Sequence, residues 1–131
     1  MKQKIVGVFS IGFEDCQLVL REGTGGEFYN CPGVGECPRI KIGADIKDWK
    51  DVVAVVMHEA LELEMNRLRC RYDCSYDMAQ DHARYLFVAT HPQFSDAVAR
   101  ASYFIAECHN SLQASWISWH RAASKKAGGG K

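Results

Sequence analysis

The stretch Val52-Val-Ala-Val-Val-Met-His58-Glu59-Ala-Leu-Glu62-Leu-Glu64-Met65 sets His58, Glu59 and Glu62 in an almost wholly apolar segment. Ten of its fourteen residues are Val, Ala, Leu or Met, so as a helix it is expected to be buried on most sides. At 100° per residue, His58 and Glu62 stand one turn apart on a common face, with Glu59 at the edge of that face. Glu64, on the other side, and Arg67 read as ordinary polar positions. Two carboxylates and an imidazole are expensive to bury unless they are paired or bound to metal. The trio is therefore a candidate metal site. The rival reading pairs the carboxylates with Arg69 or Arg84 in an internal ion network.

Working outward, Asp45 or Asp48 is placed to cap this helix, which should run to about Arg69. Upstream, Ile5–Phe9 and Gln17–Arg21 read as strands, and Glu27–Asn30 as a third after a glycine-rich turn. Arg39–Gly43 alternates polar and apolar residues, as a half-buried strand does. Downstream, residues 71–82 are polar and irregular, and Arg84–Thr90 reads as a last strand ended by His91-Pro92. Ser95-Asp96 is a helix start. From Ala97 to about Ser124, the residues Val98, Ala101, Ile105, Cys108, Leu112, Trp116 and Trp119 form one amphipathic stripe, with a break near His109-Asn110. The order predicts an α+β fold: a small, mostly antiparallel sheet, a buried metal-binding helix and a long C-terminal helix. Residues 1–124 form one domain in this reading, and 125–131 a flexible tail.

Sixteen basic and sixteen acidic residues balance, so no field favours nucleic acid or an anionic membrane as partner. The apolar run near the start stops at Glu14-Asp15 without a small-residue cleavage site, and no stretch reaches transmembrane length. A cytoplasmic protein with reduced thiols is the expectation. Its six cysteines are Cys16, Cys31, Cys37, Cys70, Cys74 and Cys108. Cys31, Cys37, Cys70 and Cys74 offer a four-thiolate zinc site, but neither spacing is a Cys-x-x-Cys knuckle, and buried or idle thiols are the favoured reading. Gly23-Thr-Gly-Gly-Glu lacks the Lys and the following helix of a phosphate loop.

Ligands at i and i+4 of a helix can grip one metal ion, and the residue after the first points into the same cleft. In His58-Glu59-Ala-Leu-Glu62, zinc would take His58 and Glu62, while Glu59 would act as general base on metal-bound water. A catalytic zinc wants a third protein ligand. His91 stands where a strand gives way to a helix and is the first choice; His82 with neighbouring Asp81 is the alternative, with His109 and His120 behind. Tyr72, Tyr76 and Tyr85 are candidate oxyanion stabilisers.

The order of alternating strand, glycine and His-Glu-x-x-Glu helix resembles the minimal core of the zincin metallopeptidases. The tract Val56-Met-His-Glu-Ala-Leu-Glu with Tyr85-Leu-Phe-Val-Ala-Thr-His91-Pro-Gln-Phe94 also resembles small phage and prophage proteins with such a core. That resemblance implies a zinc-dependent peptide hydrolase of phage origin, working in the cytoplasm of a bacterial host. It assigns His58, Glu62 and His91 as zinc ligands, Glu59 as base, and Arg39–Gly43 as the cleft edge that pairs with an extended peptide or protein substrate. The departure is Glu62, where a zincin has His: its charge makes the metal a poorer Lewis acid and raises the pKa of bound water. The alternative, from another class, is a non-catalytic interaction protein keeping a structural metal site or a buried ion-pair network.

Overall fold

The computed structural model describes residues 2–30, 33–73 and 85–128. Strands β1 (Gln3–Ile11), β2 (Glu14–Arg21), β3 (Gly26–Tyr29) and β4 (Arg39–Gly43) precede helix α1 (Trp49–Arg67). The short strands β5 (Arg71–Asp73) and β6 (Tyr85–Phe87) follow, then the long helix α2 (His91–Gly128). The α+β expectation holds: a four-stranded mixed sheet in the order β1-β2-β4-β3, a two-stranded β5-β6 ribbon and two helices.

In the sheet, β1–β2 and β3–β4 are antiparallel and β2–β4 is parallel. The connection from β2 loops back through β3, so β4 enters between β2 and β3 and both its edges are hydrogen-bonded. Gly43 makes this crossing feasible: a Cβ there would sit 2.5 Å from the carbonyl oxygen of Gly23 and 2.4 Å from the Cα of Thr24. Alternate residues point to one face, and Cys16, Leu18 and Leu20 of β2 with Ile40 and Ile42 of β4 are fully buried there. They pack against Val52, Val56, Ala60 and Leu63 of α1 and Ala101, Phe104, Cys108 and Leu112 of α2. The opposite face carries polar pairs such as Arg21–Glu27 at 2.8 Å and Arg39–Gln17 at 2.8 Å, which leaves it fit to meet water.

Helix α1 starts after Asp48, which holds the N-cap position in an extended conformation but makes no side-chain capping hydrogen bond; the Asp45 carboxylate instead accepts from Gly23 N–H and Trp119 Nε1. Its end is a Schellman motif: Cys70 N–H donates to the Met65 carbonyl at 2.8 Å and Arg69 N–H to the Asn66 carbonyl at 3.0 Å. Arg69 takes the left-handed position at φ 61°, a place usually held by glycine. The reversal sends the chain straight into β5, where irregular structure was expected.

Helix α2 differs from its sequence reading at both ends. It begins at His91 rather than Ser95, because Thr90-His91-Pro92-Gln93 is a capping box. Gln93 N–H donates to Thr90 Oγ1 at 3.3 Å, and Thr90 N–H donates to Gln93 Oε1 at 2.9 Å. Of the expected strand over 84–90, Tyr85–Phe87 is strand and 88–90 is not, Arg84 lying outside the described residues. Helix α2 runs without a break past His109-Asn110 and continues to Gly128, so residues 125–128, read as tail, are helical. Its buried stripe is Ala97, Ala101, Phe104, Cys108, Leu112 and Trp119; Val98 is turned to solvent. Among the described residues, no helix is long and apolar enough to cross a membrane.

Candidate metal centre

The i, i+4 geometry of α1 sets His58 Nε2 3.0 Å from Glu62 Oε2, with Glu59 Oε1 3.9 Å from the same nitrogen. One ligand atom from each of the three lies within 4.8 Å of the others, and among the described residues this is the one such group. The burial differs from the expectation of a buried trio. The Glu59 and Glu62 side chains are only 9% and 14% exposed, whereas that of His58 is 67% exposed. Carboxylates thus line the floor and the imidazole stands at the mouth.

Glu59 faces β3. A Cβ at Gly26 would fall 2.8 Å from Val55 Cγ1 and 2.9 Å from Glu59 Cγ, so only glycine lets the strand come this close to the helix. Burial pushes the Glu59 carboxyl above its usual pKa, and the neighbouring Glu62 and Glu27 carboxylates act in the same direction; His58 and Arg71 pull against them.

Glu62 is shared. Its Oε2 faces His58, and its Oε1 lies 3.2 Å from Arg71 Nε at ion-pair distance, without the alignment of a hydrogen bond. The Arg71 guanidinium stacks 3.7 Å from the Tyr85 ring centroid and 5.2 Å from that of Phe28. Arg71 was missed by sequence reasoning because its position follows from the Schellman turn. Arg69, which the ion-network reading favoured, is exposed just beyond the helix end, and Arg84 lies outside the described residues.

A donor set of one imidazole nitrogen and carboxylate oxygens suits zinc. Two ligand atoms each 2.0–2.1 Å from a tetrahedral zinc stand roughly 3.3 Å apart, close to the observed His58–Glu62 separation of 3.0 Å. The structure does not bring His91 into the group: the capping box makes it the first residue of α2, where its side chain is exposed. His82 and Asp81 lie outside the described residues, as does Tyr76. Tyr72 is half exposed on β5, and Tyr85 is occupied in stacking on Arg71. An apolar cleft of about 270 Å³ adjoins the centre, walled by His58, Leu61, Glu62, Met65, Phe87 and Phe94.

Arg39–Gly43 does not form the cleft edge. As β4 it is paired on both sides, and β3 is the strand at the sheet margin nearest α1. Glu64 also departs from its reading as an ordinary polar position. It is fully buried and ion-paired to Arg67 at 2.8 Å and to Arg100 of α2 at 3.0 Å. The apolar flanks that argued for burying His58 and Glu62 applied equally to Glu64, and Arg67 three residues on was the visible partner. Among the described cysteines, none belongs to a metal-binding group: Cys16, Cys70 and Cys108 are buried free thiols and Cys37 a partly exposed one. Cys31 and Cys74 lie outside the described residues.

Comparison with protein-family models, with characterised proteins and with solved structures returns no match to the chain.

Proposed function

We propose that this protein binds a divalent transition metal, zinc being the best fit, through His58 and Glu62, two of the three protein ligands a catalytic zinc takes, and uses Glu59 as a base beside it in hydrolysing peptide bonds. The observation that carries the reading is the gathering of three ligand-bearing side chains within 4.8 Å on one helix face. The bound metal would polarise a carbonyl and acidify water. The chain's own residues supply the rest. His58 and Glu62 hold the ion, and Glu59, on the same helix face beside them, takes up a proton at its carboxylate. An extended peptide finds a sheet margin that is unpaired among the described residues along β3, beside Glu59, rather than along β4. The zincin likeness rests on the His-Glu-x-x-Glu helix and on the alternating strand and glycine that precede it.

The Arg71–Glu62 contact favours a second reading, in which His58, Glu62 and Arg71 form an ion network that ties β5 to α1 in a non-catalytic protein. Zinc titration against a chromophoric chelator separates the two. The proposal expects one equivalent bound by wild type and loss of binding in His58→Ala. Failure of wild type to bind zinc, manganese or cobalt leaves the ion network standing. Glu59→Gln is then expected to keep the metal and lose peptide hydrolysis; retained hydrolysis removes Glu59 as the base.

A further inference from the structure

We propose that Arg71 is a positioning residue for the ligand Glu62, holding one carboxylate oxygen so that a single oxygen is offered to the metal, and thereby selecting zinc over larger, oxygen-seeking cations. The inference rests on the metal-centre reading above and concerns how that centre chooses its ion.

The two oxygens of Glu62 face different partners. Oε2 lies 3.0 Å from His58 Nε2, and Oε1 lies 3.2 Å from Arg71 Nε. Arg71 is itself restrained from three directions. Its backbone pairs with Phe87 across the β5–β6 ribbon, its guanidinium stacks 3.7 Å from Tyr85, and Phe28 of β3 lies on its other flank at 5.2 Å. Its Nε is fully buried and lacks an aligned hydrogen bond among the described residues, so the ion pair with Glu62 is the interaction that compensates it. A permanently charged guanidinium fixed in this way favours the carboxylate orientation that keeps Oε1 beside it.

That restriction discriminates between cations. Zinc is content with four ligands, one atom from each side chain. Manganese and calcium prefer six or more oxygens, and calcium in particular takes carboxylates in the two-oxygen mode. A carboxylate with one oxygen engaged serves the first need and frustrates the second. The positive charge of Arg71 also repels any divalent ion, but it does so equally for all of them. The repulsion therefore cancels in a ratio of affinities, whereas the effect on carboxylate mode does not.

The test is that ratio, zinc over manganese, measured by competition titration on the full chain. Removing an outer partner of a metal ligand changes affinity by roughly 10–100-fold. Arg71→Met is expected to lower the zinc-over-manganese preference at least tenfold. Tyr85→Leu, which keeps the guanidinium but removes its stacking platform, is expected to lower it by a smaller factor, and it decides the matter should Arg71→Met fail to fold. A general loosening of the fold would weaken both metals together and leave the ratio unmoved. Tight zinc binding by wild type with a ratio unchanged within threefold in the folded variants overturns the role of Arg71 alone. Absence of zinc binding in wild type overturns the metal centre itself and this role with it.

Discussion

Replacing Glu64 with Gln tests how α1 is held against its neighbours. The carboxylate is fully buried and meets Arg67 Nη1 at 2.8 Å and Arg100 Nη1 at 3.0 Å. Gln keeps the volume but removes the charge from both contacts. Taking one partner out of a buried ion pair costs about 3–5 kcal/mol, mostly because the remaining charge is left uncompensated. Two features place this case at the lower end. Arg67 retains Glu14 at 3.0 Å, and Arg100, 23% exposed, retains water and the Phe13 ring at 5.4 Å. A loss of about 3 kcal/mol follows. With an unfolding entropy of about 2.1 cal/mol/K per residue, 131 residues give roughly 0.28 kcal/mol/K, so the melting temperature should fall by about 11 °C. Calorimetry in metal-free buffer measures this directly. A fall of less than about 3 °C would show that the triad contributes little beyond what water supplies, and the account of Glu64 as the polar clamp between α1 and α2 would be wrong.

Two further outcomes concern backbone and thiols, beside the metal and Arg71 experiments above. Arg69→Gly relieves a left-handed conformation at the end of α1, whose penalty for L-residues is about 1–2 kcal/mol, offset in part by the added freedom of glycine in the unfolded chain. A net gain of about 0.5–1 kcal/mol is expected in urea unfolding, and a loss would mean that the Arg69 side chain itself stabilises the turn. Burial holds the Cys16 and Cys108 thiols protonated, raising each from an ordinary 9.0 to about 12. The folded state therefore binds more protons than the unfolded one between these values. The thiol contribution is intact below pH 9 and declines as pH rises towards 12, by about 1.4 kcal/mol per thiol at pH 10. Cys16→Ala/Cys108→Ala should accordingly lose less stability than wild type between pH 8 and pH 10; equal losses would place the alkaline sensitivity elsewhere.

Regular periodicity carried most of the fold into view. The alternation in Arg39–Gly43 and the apolar density of Val52–Met65 predicted β4 and α1 almost to the residue, because both patterns report burial on a local repeat. The start of α2 is equally local: Thr90 and Gln93 spell a capping box, but Ser95-Asp96 offers a competing N-cap. Strand order was not legible. Nothing in the composition of β4 says that β3 folds back to cover its outer edge, since a strand paired on one side and a strand paired on both can carry the same alternation.

The same boundary divides the candidate site. Helix geometry alone puts His58 and Glu62 one turn apart with Glu59 beside them, because a 3.6-residue repeat fixes those distances whatever surrounds the helix. Everything that gives these groups their separate characters is tertiary. Gly26 lets β3 bury Glu59, the turn at Arg69 brings Arg71 back onto Glu62, and the capping box leaves His91 on the surface at the head of α2. Charge, burial and ligand choice depend on which distant side chains arrive at the helix face. Local sequence determined where the three groups stand, and only the folded chain decided what each of them meets.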